Sequence, residues 1–396
     1  MTQITSFPLD SHIDVKFYGT HMTYESTTSP LLTTASPLLA PARLGTHEVA
    51  NRLVIAPMTR NRAESDGTPT PLMAEYYAQR ATAGAIIAEA STPNAVGQTY
   101  PNITALHTDA HTAGWRQVTK AVQAAGGGPM FLQLQHGGRV GHPDNSGLTP
   151  LAPSPIPLPE TIHTPTGRQE AVVPREMTAD DIRRTVRDFA DAARRAVDAG
   201  FAGVEVHSAN GYLLHQFLAP NTNHRTDAYG GGVGHRIRFT TEVVDAVADA
   251  IGAERTGLRV SPGNTVNGIT DTDADDLYPA LLTANADKGL AYLHIAFADP
   301  GRPLFARLRE IWTGTLIANP VLPPDRIPAD GGRRAAERLL AAGADLIALG
   351  RPFLANPDLV ERIRTGAPVN PVRAEYAMYT GGATGYTDYP TLPAPN

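Results

Sequence analysis

The chain has 396 residues, of which 42% are hydrophobic, so it is long enough to bury one large core. Its net charge of -6 offers no basic surface for nucleic acid, and no Lys/Arg-rich run indicates a membrane surface. The absence of cysteine excludes disulfides, thiolate metal sites and iron–sulfur clusters. No stretch resembles a membrane span or a signal peptide. We therefore expect a cytoplasmic enzyme with small-molecule partners, without nucleic acid or membrane.

Residues 1–36 are rich in Thr, Ser and His and show no sustained hydrophobic period, so we predict a disordered N-terminal extension there. The patterned part of the chain begins with an apolar run at residues 38–44. We assign residues 37–396 to a single catalytic domain.

From residue 52 onward, short apolar runs alternate with helical patterns. The eight runs lie at residues 53–56, 85–88, 130–134, 204–206, 258–260, 292–295, 315–318 and 346–349. This alternation predicts parallel strands joined by helices, and eight repeats predict a closed (β/α)8 TIM barrel of the α/β class. A doubly wound open sheet is the alternative, but it needs a Gly-rich turn after the first strand, and residues 56–60 contain no glycine.

Helix boundaries are clearest at residues 178–199 and 235–251. Thr178 can cap the first helix, and Gly200 and Gly252 end the two helices. The segment at residues 137–177 is crowded with Pro, Gly and Thr and separates the third strand from its helix. We expect this insert to form a capping subdomain over the carboxyl ends of the strands, where barrel enzymes place their active sites.

The fourth strand leads into a polar loop, Val-Glu-Val-His-Ser-Ala-Asn-Gly-Tyr, at residues 204–212. His207 and Asn210 are neutral donors that can hold a carbonyl oxygen, and the phenol of Tyr212 is an acid with an ordinary pKa of about 10. Two donors and one acid in a single loop suit the reduction of an activated alkene. We predict that His207, Asn210 and Tyr212 are the catalytic residues.

Polar residues also follow the other strands, and in a barrel these strand ends converge on one face. They include Thr59, Arg60, Glu89, Gln133, His136, Arg259 and Arg351. We expect His136 and His215 to be groups that pack or support the site, and not ligands. No set of His, Asp and Glu shows metal-ligand spacing, so we predict no metal site.

Several of these stretches resemble the Old Yellow Enzyme family of flavin-dependent ene-reductases. The matching motifs lie at residues 56–60, 69–73, 133–139, 204–217, 225–231, 259–262, 350–357 and 385–390. They follow the order of the family, and their combination is far more specific than any single motif.

The resemblance implies an FMN cofactor over the mouth of the barrel. Arg259 would stabilise the negative charge of the reduced flavin, and the amide of Gln133 would pair with its pyrimidine edge. Further contacts with the cofactor are implied for Pro57, Met58, Thr59, Ala90 and His207.

The FMN phosphate is expected at Gly350 and Arg351, after the eighth strand, where barrels commonly bind phosphate. The chain departs from the family after the seventh strand, because the usual Gly pair is replaced and Pro320 has no N–H to donate. We expect Gly332 and Arg333 to supply the missing donors.

The resemblance places the substrate carbonyl on His207 and Asn210, with Tyr212 protonating the α-carbon. Tyr100, Tyr379 and Phe297 are expected to line the pocket, and Gln135 stands where many relatives carry Trp. The implied reaction has two half-reactions in one pocket: NADPH or NADH reduces the flavin, and an activated alkene then reoxidises it.

Two other functions remain open. A phosphate-binding barrel lyase or isomerase would use Gly350 and Arg351, but it needs a base, and Lys120 and Lys288 both lie in predicted helices. A flavin-binding protein without net redox turnover is the second. The sequence also leaves open the natural alkene and the choice between a monomer and a homodimer.

Overall fold

The computed structural model describes residues 36–373 and 378–393. Except for Ser36, the extension predicted at residues 1–36 lies outside the described residues. Within the described ranges, no helix is long and apolar enough to cross a membrane.

Eight parallel strands close into a barrel, which confirms the predicted fold class. In chain order they are β1 (Leu53–Ile55), β2 (Ala85–Thr92), β3 (Met130–Leu134), β4 (Gly203–Ser208), β5 (Thr256–Val260), β6 (Tyr292–Ala298), β7 (Leu316–Pro320) and β8 (Leu346–Leu349). Each strand pairs with the next, and β8 pairs with β1 to close the ring. A short strand, Thr104–Ala105, adds to β2.

The barrel strands are buried on both faces, because helices cover the outside and side chains fill the interior. All residues of β3, β4, β5 and β8 are buried, which explains why each of these strands contains a short apolar run. Two strands extend beyond the predicted runs: β2 continues through Glu89, and β4 includes His207. The predicted runs stopped before Glu89 and His207 because these residues are polar, although the strands continue through them.

Eight helices alternate with the strands: α1 (Pro71–Ala78), α2 (Asp109–Ala124), α3 (Ala179–Asp198), α4 (Arg238–Ile251), α5 (Ala274–Thr283), α6 (Pro303–Ile311), α7 (Arg333–Ala341) and α8 (Leu359–Thr365). The predicted start of α3 is confirmed by a capping box between Thr178 and Asp181. The helix predicted at residues 235–251 is divided, since the short helix Val233–Arg236 precedes α4.

Shorter elements fill the connections. The remaining helical turns are Pro37–Leu39, Ala95–Gly97, Gly138–Val140, Pro143–Ser146, Leu213–Leu218, Ala253–Arg255, Val266–Gly268, Ala286–Lys288 and Arg351–Ala355. A hairpin of Ala42–Leu44 and His47–Val49 precedes β1.

The segment between β3 and α3 folds into short strands of its own. Its strand pairs are Thr161–Thr164 with Gly167–Glu170, and Leu151–Ala152 with Arg175–Glu176. Val140, Leu158 and Ile162 form a small apolar cluster, and Tyr100 and Tyr212 pack against it. The insert therefore lies beside the predicted catalytic loop, at the carboxyl ends of the strands.

Arg225 ties the insert to the chain that follows β4. Its guanidinium donates to the carbonyl oxygens of Pro153 and Met177 and forms an ion pair with Asp227 at 2.6 Å. The carbonyl bonds are buried, so Arg225 fixes both ends of this part of the insert to the chain after β4.

Candidate active site

The predicted catalytic side chains come together after β4. Asn210 and Gly211 both adopt left-handed backbone conformations, with φ of 55° and 74°. These two residues turn the chain so that Tyr212, which precedes the short helix Leu213–Leu218, lies beside His207. The ring centroids of His207 and Tyr212 are 5.2 Å apart. A single turn thus brings the imidazole and the phenol together.

The loop after β5 holds this turn in place. The Asn210 N–H donates to the Ser261 hydroxyl at 2.9 Å, and the Asn267 amide donates to the Asn210 carbonyl oxygen at 2.8 Å. A Cβ atom at Gly211 would lie 2.6 Å from the Cβ of Asn267, so this position requires glycine for space as well as for its positive φ. The backbone of Asn210 is therefore fixed from both sides.

A buried pair of His215 and Asp271 fixes the next peptide of the turn. The Gly211 N–H donates to His215 Nδ1 at 3.1 Å, so the ring proton lies on Nε2. Nε2 is 3.2 Å from both carboxylate oxygens of Asp271, which also accepts the Tyr278 hydroxyl at 2.8 Å. Burial opposes ionisation of Asp271, but the contacts with His215 and Tyr278 hold its pKa below the ordinary value. His215 thus supports the backbone of the turn, in agreement with the expectation that it packs or supports the site and does not bind a ligand.

His207 is a neutral donor. Its side chain is buried, and burial lowers its pKa well below the ordinary value, with the positive charge of Arg259 acting in the same direction. One ring nitrogen therefore carries a proton at physiological pH and the other does not. His207 Nδ1 and Asn210 Oδ1 are both buried without a hydrogen-bond partner. Orphaned polar atoms of this kind are explained when a bound ligand pairs with them.

Three phenols lie near one another beside the catalytic loop. The hydroxyl groups of Tyr100 and Tyr212 are 3.4 Å apart. Burial raises the pKa of Tyr212, the hydrogen bond to Tyr100 partly opposes this shift, and the charge of Tyr379 adds to it. Burial also raises the pKa of Tyr100 well above its ordinary value. Tyr212 is therefore fully protonated at physiological pH.

A buried polar network fills the interior of the barrel next to this loop. The Gln133 amide donates to the Glu205 carboxylate at 2.7 Å, and His294 Nδ1–H donates to the same carboxylate at 2.8 Å. Arg259 lies in register with both His207 and His294 on the neighbouring strands. Gln133 and Arg259 were predicted site residues, whereas Glu205 and His294 were not.

The charges of this network are balanced within it. Burial alone would raise the pKa of Glu205, but the contacts with His294 and the charge of Arg259 hold that pKa below its ordinary value. Burial lowers the pKa of His294, so the imidazole is neutral and donates without adding charge. The opposite charges of the network are thus those of the Glu205 carboxylate and the Arg259 guanidinium.

The ends of β1 and β8 form another side of the barrel mouth. Pro57, Met58 and Thr59 are half-buried in the turn after β1. A Cβ atom at Gly350 would lie 3.1 Å from the Met58 sulfur, so these two strand ends meet closely. Ala90, near the end of β2, is buried.

The residues predicted for the phosphate lie in two places. Arg351 donates to two carbonyl oxygens in the loop after β7, next to Gly350. The backbone N–H groups of Gly332 and Arg333, at the start of α7, both donate to Asp330. Because an acidic residue already occupies these two amides, the geometry favours Gly350 and Arg351 over Gly332 and Arg333.

Gln135, His136 and Phe297, for which the sequence analysis also made predictions, lie in three different environments. Gln135 is buried and donates to the Thr99 hydroxyl at 2.9 Å. His136 accepts the Gly138 N–H at 3.1 Å, and burial lowers its pKa to about 3, as expected of a packing group. Phe297 has a φ of 54° and is 37% exposed, a conformation that costs a bulky residue roughly 1–3 kcal/mol.

Arg60 and Glu89, which were grouped with the strand-end polar residues, belong instead to a structural cluster. The Arg60 guanidinium donates to the carbonyl oxygens of Met378 and Gly385, each at 2.8 Å. Glu89 accepts the Arg60 backbone N–H at 3.1 Å and the Tyr77 hydroxyl at 3.2 Å. Burial raises the pKa of Glu89 to about 7. Arg60 thus holds the C-terminal segment against the barrel, and Glu89 fixes the backbone of Arg60.

The polar atoms at the barrel mouth fit a flavin. The buried atoms without partners include His207 Nδ1, Asn210 Oδ1, Arg259 Nε and His294 Nε2. A flavin offers both donors and acceptors along its pyrimidine edge, and its reduced form is an anion that a guanidinium stabilises. In the described segments, no cluster of three or more His, Asp or Glu could hold a metal ion. A TIM barrel with these polar groups at the carboxyl ends of its strands has the structure of a flavin-dependent oxidoreductase.

Comparisons with known proteins agree with this class. The model of the NADH:flavin oxidoreductase / NADH oxidase family matches residues 37–370. A probable flavin mononucleotide-dependent alkene reductase of Leishmania infantum is 39% identical over 368 residues, which cover 90% of this chain and 97% of the relative. A putative 12-oxophytodienoate reductase of Oryza sativa is 38% identical and covers 90% of this chain and 95% of its own length.

Two solved structures are similar throughout the barrel. The Old Yellow Enzyme homologue of Zymomonas mobilis has a TM-score of 0.84 at 38% identity, covering 90% of this chain and 99% of that one. Morphinone reductase in complex with tetrahydroNAD has a TM-score of 0.83 at 40% identity, covering 90% and 98%.

The chain therefore belongs to the NADH:flavin oxidoreductase / NADH oxidase family, which includes the Old Yellow Enzyme homologues. It is an FMN-dependent oxidoreductase with NAD(P)H as the reductant, which confirms the predicted enzyme class and cofactors.

Proposed function

We propose that the enzyme reduces the activated C=C bond of α,β-unsaturated carbonyl compounds. The observation that carries this proposal is the turn after β4, which brings the neutral imidazole of His207, the carboxamide of Asn210 and the protonated phenol of Tyr212 together. FMN, when bound, supplies the redox chemistry by accepting a hydride from NAD(P)H and delivering it to the β-carbon of the alkene.

The cofactor would lie across the carboxyl ends of the strands. Gln133 and Arg259 would hold its pyrimidine edge, because both are buried polar groups inside the mouth of the barrel. The remaining contacts are assigned to Pro57, Met58, Thr59, Ala90 and His207 for the ring and to Gly350 and Arg351 for the phosphate.

His207 and Asn210 would bind the substrate carbonyl oxygen. Negative charge builds on this oxygen as the β-carbon is reduced, and two donors held in a dry site stabilise it by several kcal/mol. The hydrogen bonds of Asn210 to Ser261 and Asn267 fix the backbone that carries this carboxamide. This arrangement is selective for a carbonyl or an isosteric oxygen acceptor.

Tyr212 would then donate its proton to the α-carbon, which completes the conversion of C=C to CH–CH. Its raised pKa keeps the proton on the phenol until the carbanionic α-carbon forms. The Tyr100 hydroxyl, 3.4 Å away, can stabilise the phenolate that remains. Tyr100, Tyr379, Gln135 and Phe297 would form the walls around the substrate.

An anaerobic titration tests this function. The purified protein should be yellow, lose its flavin absorbance on addition of NADPH, and recover it on addition of 2-cyclohexenone. A colourless protein that takes up no FMN would contradict the cofactor assignment. Flavin that is reduced by NADPH but not reoxidised by any of a panel of enones would contradict the substrate class alone.

A further inference from the structure

The barrel interior contains a buried carboxylate to which the proposed reaction gives no role. Glu205 lies in β4, two residues before His207, and its side chain is fully buried. A buried charge is costly unless it is paired and hydrogen-bonded, and an ion pair of this kind adds little net stability over an apolar replacement. Stability alone therefore gives no reason for a carboxylate at this position.

Glu205 determines which way the amide of Gln133 points. A carboxylate only accepts hydrogen bonds, so the Gln133 atom 2.7 Å from Glu205 must be the amide nitrogen. The carbonyl oxygen of Gln133 is then left as an acceptor for a ligand. A flavin has one matching group on its pyrimidine edge, the N3–H.

Glu205 also moderates the charge of Arg259. The carboxylate favours the charged form of this guanidinium, which burial otherwise disfavours. His294 fixes the other carboxylate oxygen at 2.8 Å without adding charge. The positive field at the barrel mouth is thus smaller than that of a lone guanidinium.

We propose that Glu205 is a positioning residue that sets the redox potential and the ring contacts of bound FMN. It orients Gln133 to accept the N3–H, and it offsets part of the Arg259 charge that stabilises the reduced, anionic ring. This inference rests on the proposed placement of FMN. A purely structural Glu205 would affect folding and leave the flavin potential unchanged.

The test compares the flavin midpoint potentials of holoenzyme variants, measured by reduction alongside a reference dye. Glu205→Gln removes the charge and keeps the size of the side chain. At a fixed dye potential, the ratio of reduced to oxidised flavin in this variant should be about tenfold higher than in the wild type. This is the effect expected of one charge roughly 10 Å away at an effective dielectric constant of about 20. Glu205→Asp retains the charge and should stay close to the wild type.

Asp271→Asn is the matched control, because Asp271 belongs to the other buried histidine–carboxylate pair and lies in the loop after β5, not on a barrel strand. Its potential should change much less than that of Glu205→Gln. An unchanged potential in Glu205→Gln, or an equal shift in Asp271→Asn, would overturn the proposal.

Gln133→Met keeps the proposal testable if Glu205→Gln does not fold. This variant leaves the Glu205 charge in place but removes the acceptor, so FMN should dissociate about tenfold more readily while the potential stays near that of the wild type. FMN binding as tight as in the wild type would contradict the assigned orientation of Gln133. Failure of the wild type to bind FMN at all would instead contradict the proposed function.

Discussion

Replacing Tyr212 by Phe should abolish proton donation while leaving the protein folded. Its hydroxyl is 3.4 Å from the Tyr100 hydroxyl, which is long for two hydroxyl groups, so the hydrogen bond that the substitution removes is weak. Its loss should lower the free energy of unfolding by no more than about 1 kcal/mol. A positioned general acid contributes roughly 10²–10⁴-fold to the rate, so the effect on catalysis should far exceed the effect on stability.

Tyr100→Phe provides the matched control, since it removes the other end of the same hydrogen bond and leaves the acid. This variant should raise the pKa of Tyr212 further, because the bond to Tyr100 lowers that pKa in the wild type. We expect Tyr100→Phe to slow alkene reduction only a few-fold.

Anaerobic stopped-flow absorbance measures the step directly. Enzyme reduced by one equivalent of NADPH is mixed with 2-cyclohexenone, and the return of the flavin absorbance is followed. Urea unfolding of both variants measures their free energies of unfolding and shows whether a slower rate is caused by lost stability. If Tyr212→Phe reoxidises at the rate of Tyr100→Phe, the assignment of Tyr212 as the acid is wrong.

Three more predictions concern neighbouring groups. The double variant His207→Ala/Asn210→Ala should weaken binding of a para-substituted phenol about 100-fold or more in a spectral titration, since two donors to an anionic oxygen are lost; unchanged affinity would refute their role. Asp271→Asn should reduce kcat for enone reduction about tenfold at full FMN content, because the turn at Gly211 loses its brace; an unaltered kcat would show that the brace does not position the turn. The pKa of Glu89 is raised by burial from 4.5 to about 7, so its contribution to stability is present at low pH and is lost as the pH rises through 7. Glu89→Gln should therefore gain roughly 2–3 kcal/mol of unfolding free energy relative to the wild type between pH 5 and pH 8, measured by urea unfolding; a constant difference would contradict the raised pKa.

The barrel was predictable because its strands are buried on both faces and so contain short apolar runs at regular intervals along the chain. The catalytic turn was predictable for a different reason. His207, Asn210 and Tyr212 are close in sequence, so local chain geometry alone brings them together.

The polar network was not predicted, because it depends on contacts between strands. Glu205 and His294 are 89 residues apart, and only the register of the closed barrel places them 2.8 Å from each other. The sequence contained one signal for this network. Glu205 and His207 are two residues apart in β4, so their side chains point to the same face of the strand.

A long-range partner also explains why Arg60 was grouped with the site residues. Arg60 follows β1 as a site residue would, but its guanidinium binds carbonyl oxygens more than 300 residues away in the C-terminal segment. The Gly332 N–H donates to the Asp330 carboxylate and the Arg333 N–H to the Asp330 carbonyl oxygen, contacts that the sequence does not specify.

The most direct test of the active site is a crystal structure of the yellow holoenzyme soaked with a para-substituted phenol. We predict FMN across the carboxyl ends of the strands, with the phenol oxygen within hydrogen-bond distance of His207 and Asn210 and the Tyr212 hydroxyl on the opposite side of the ligand from the flavin. A phenol bound away from these side chains, or FMN bound elsewhere on the barrel, would contradict the account.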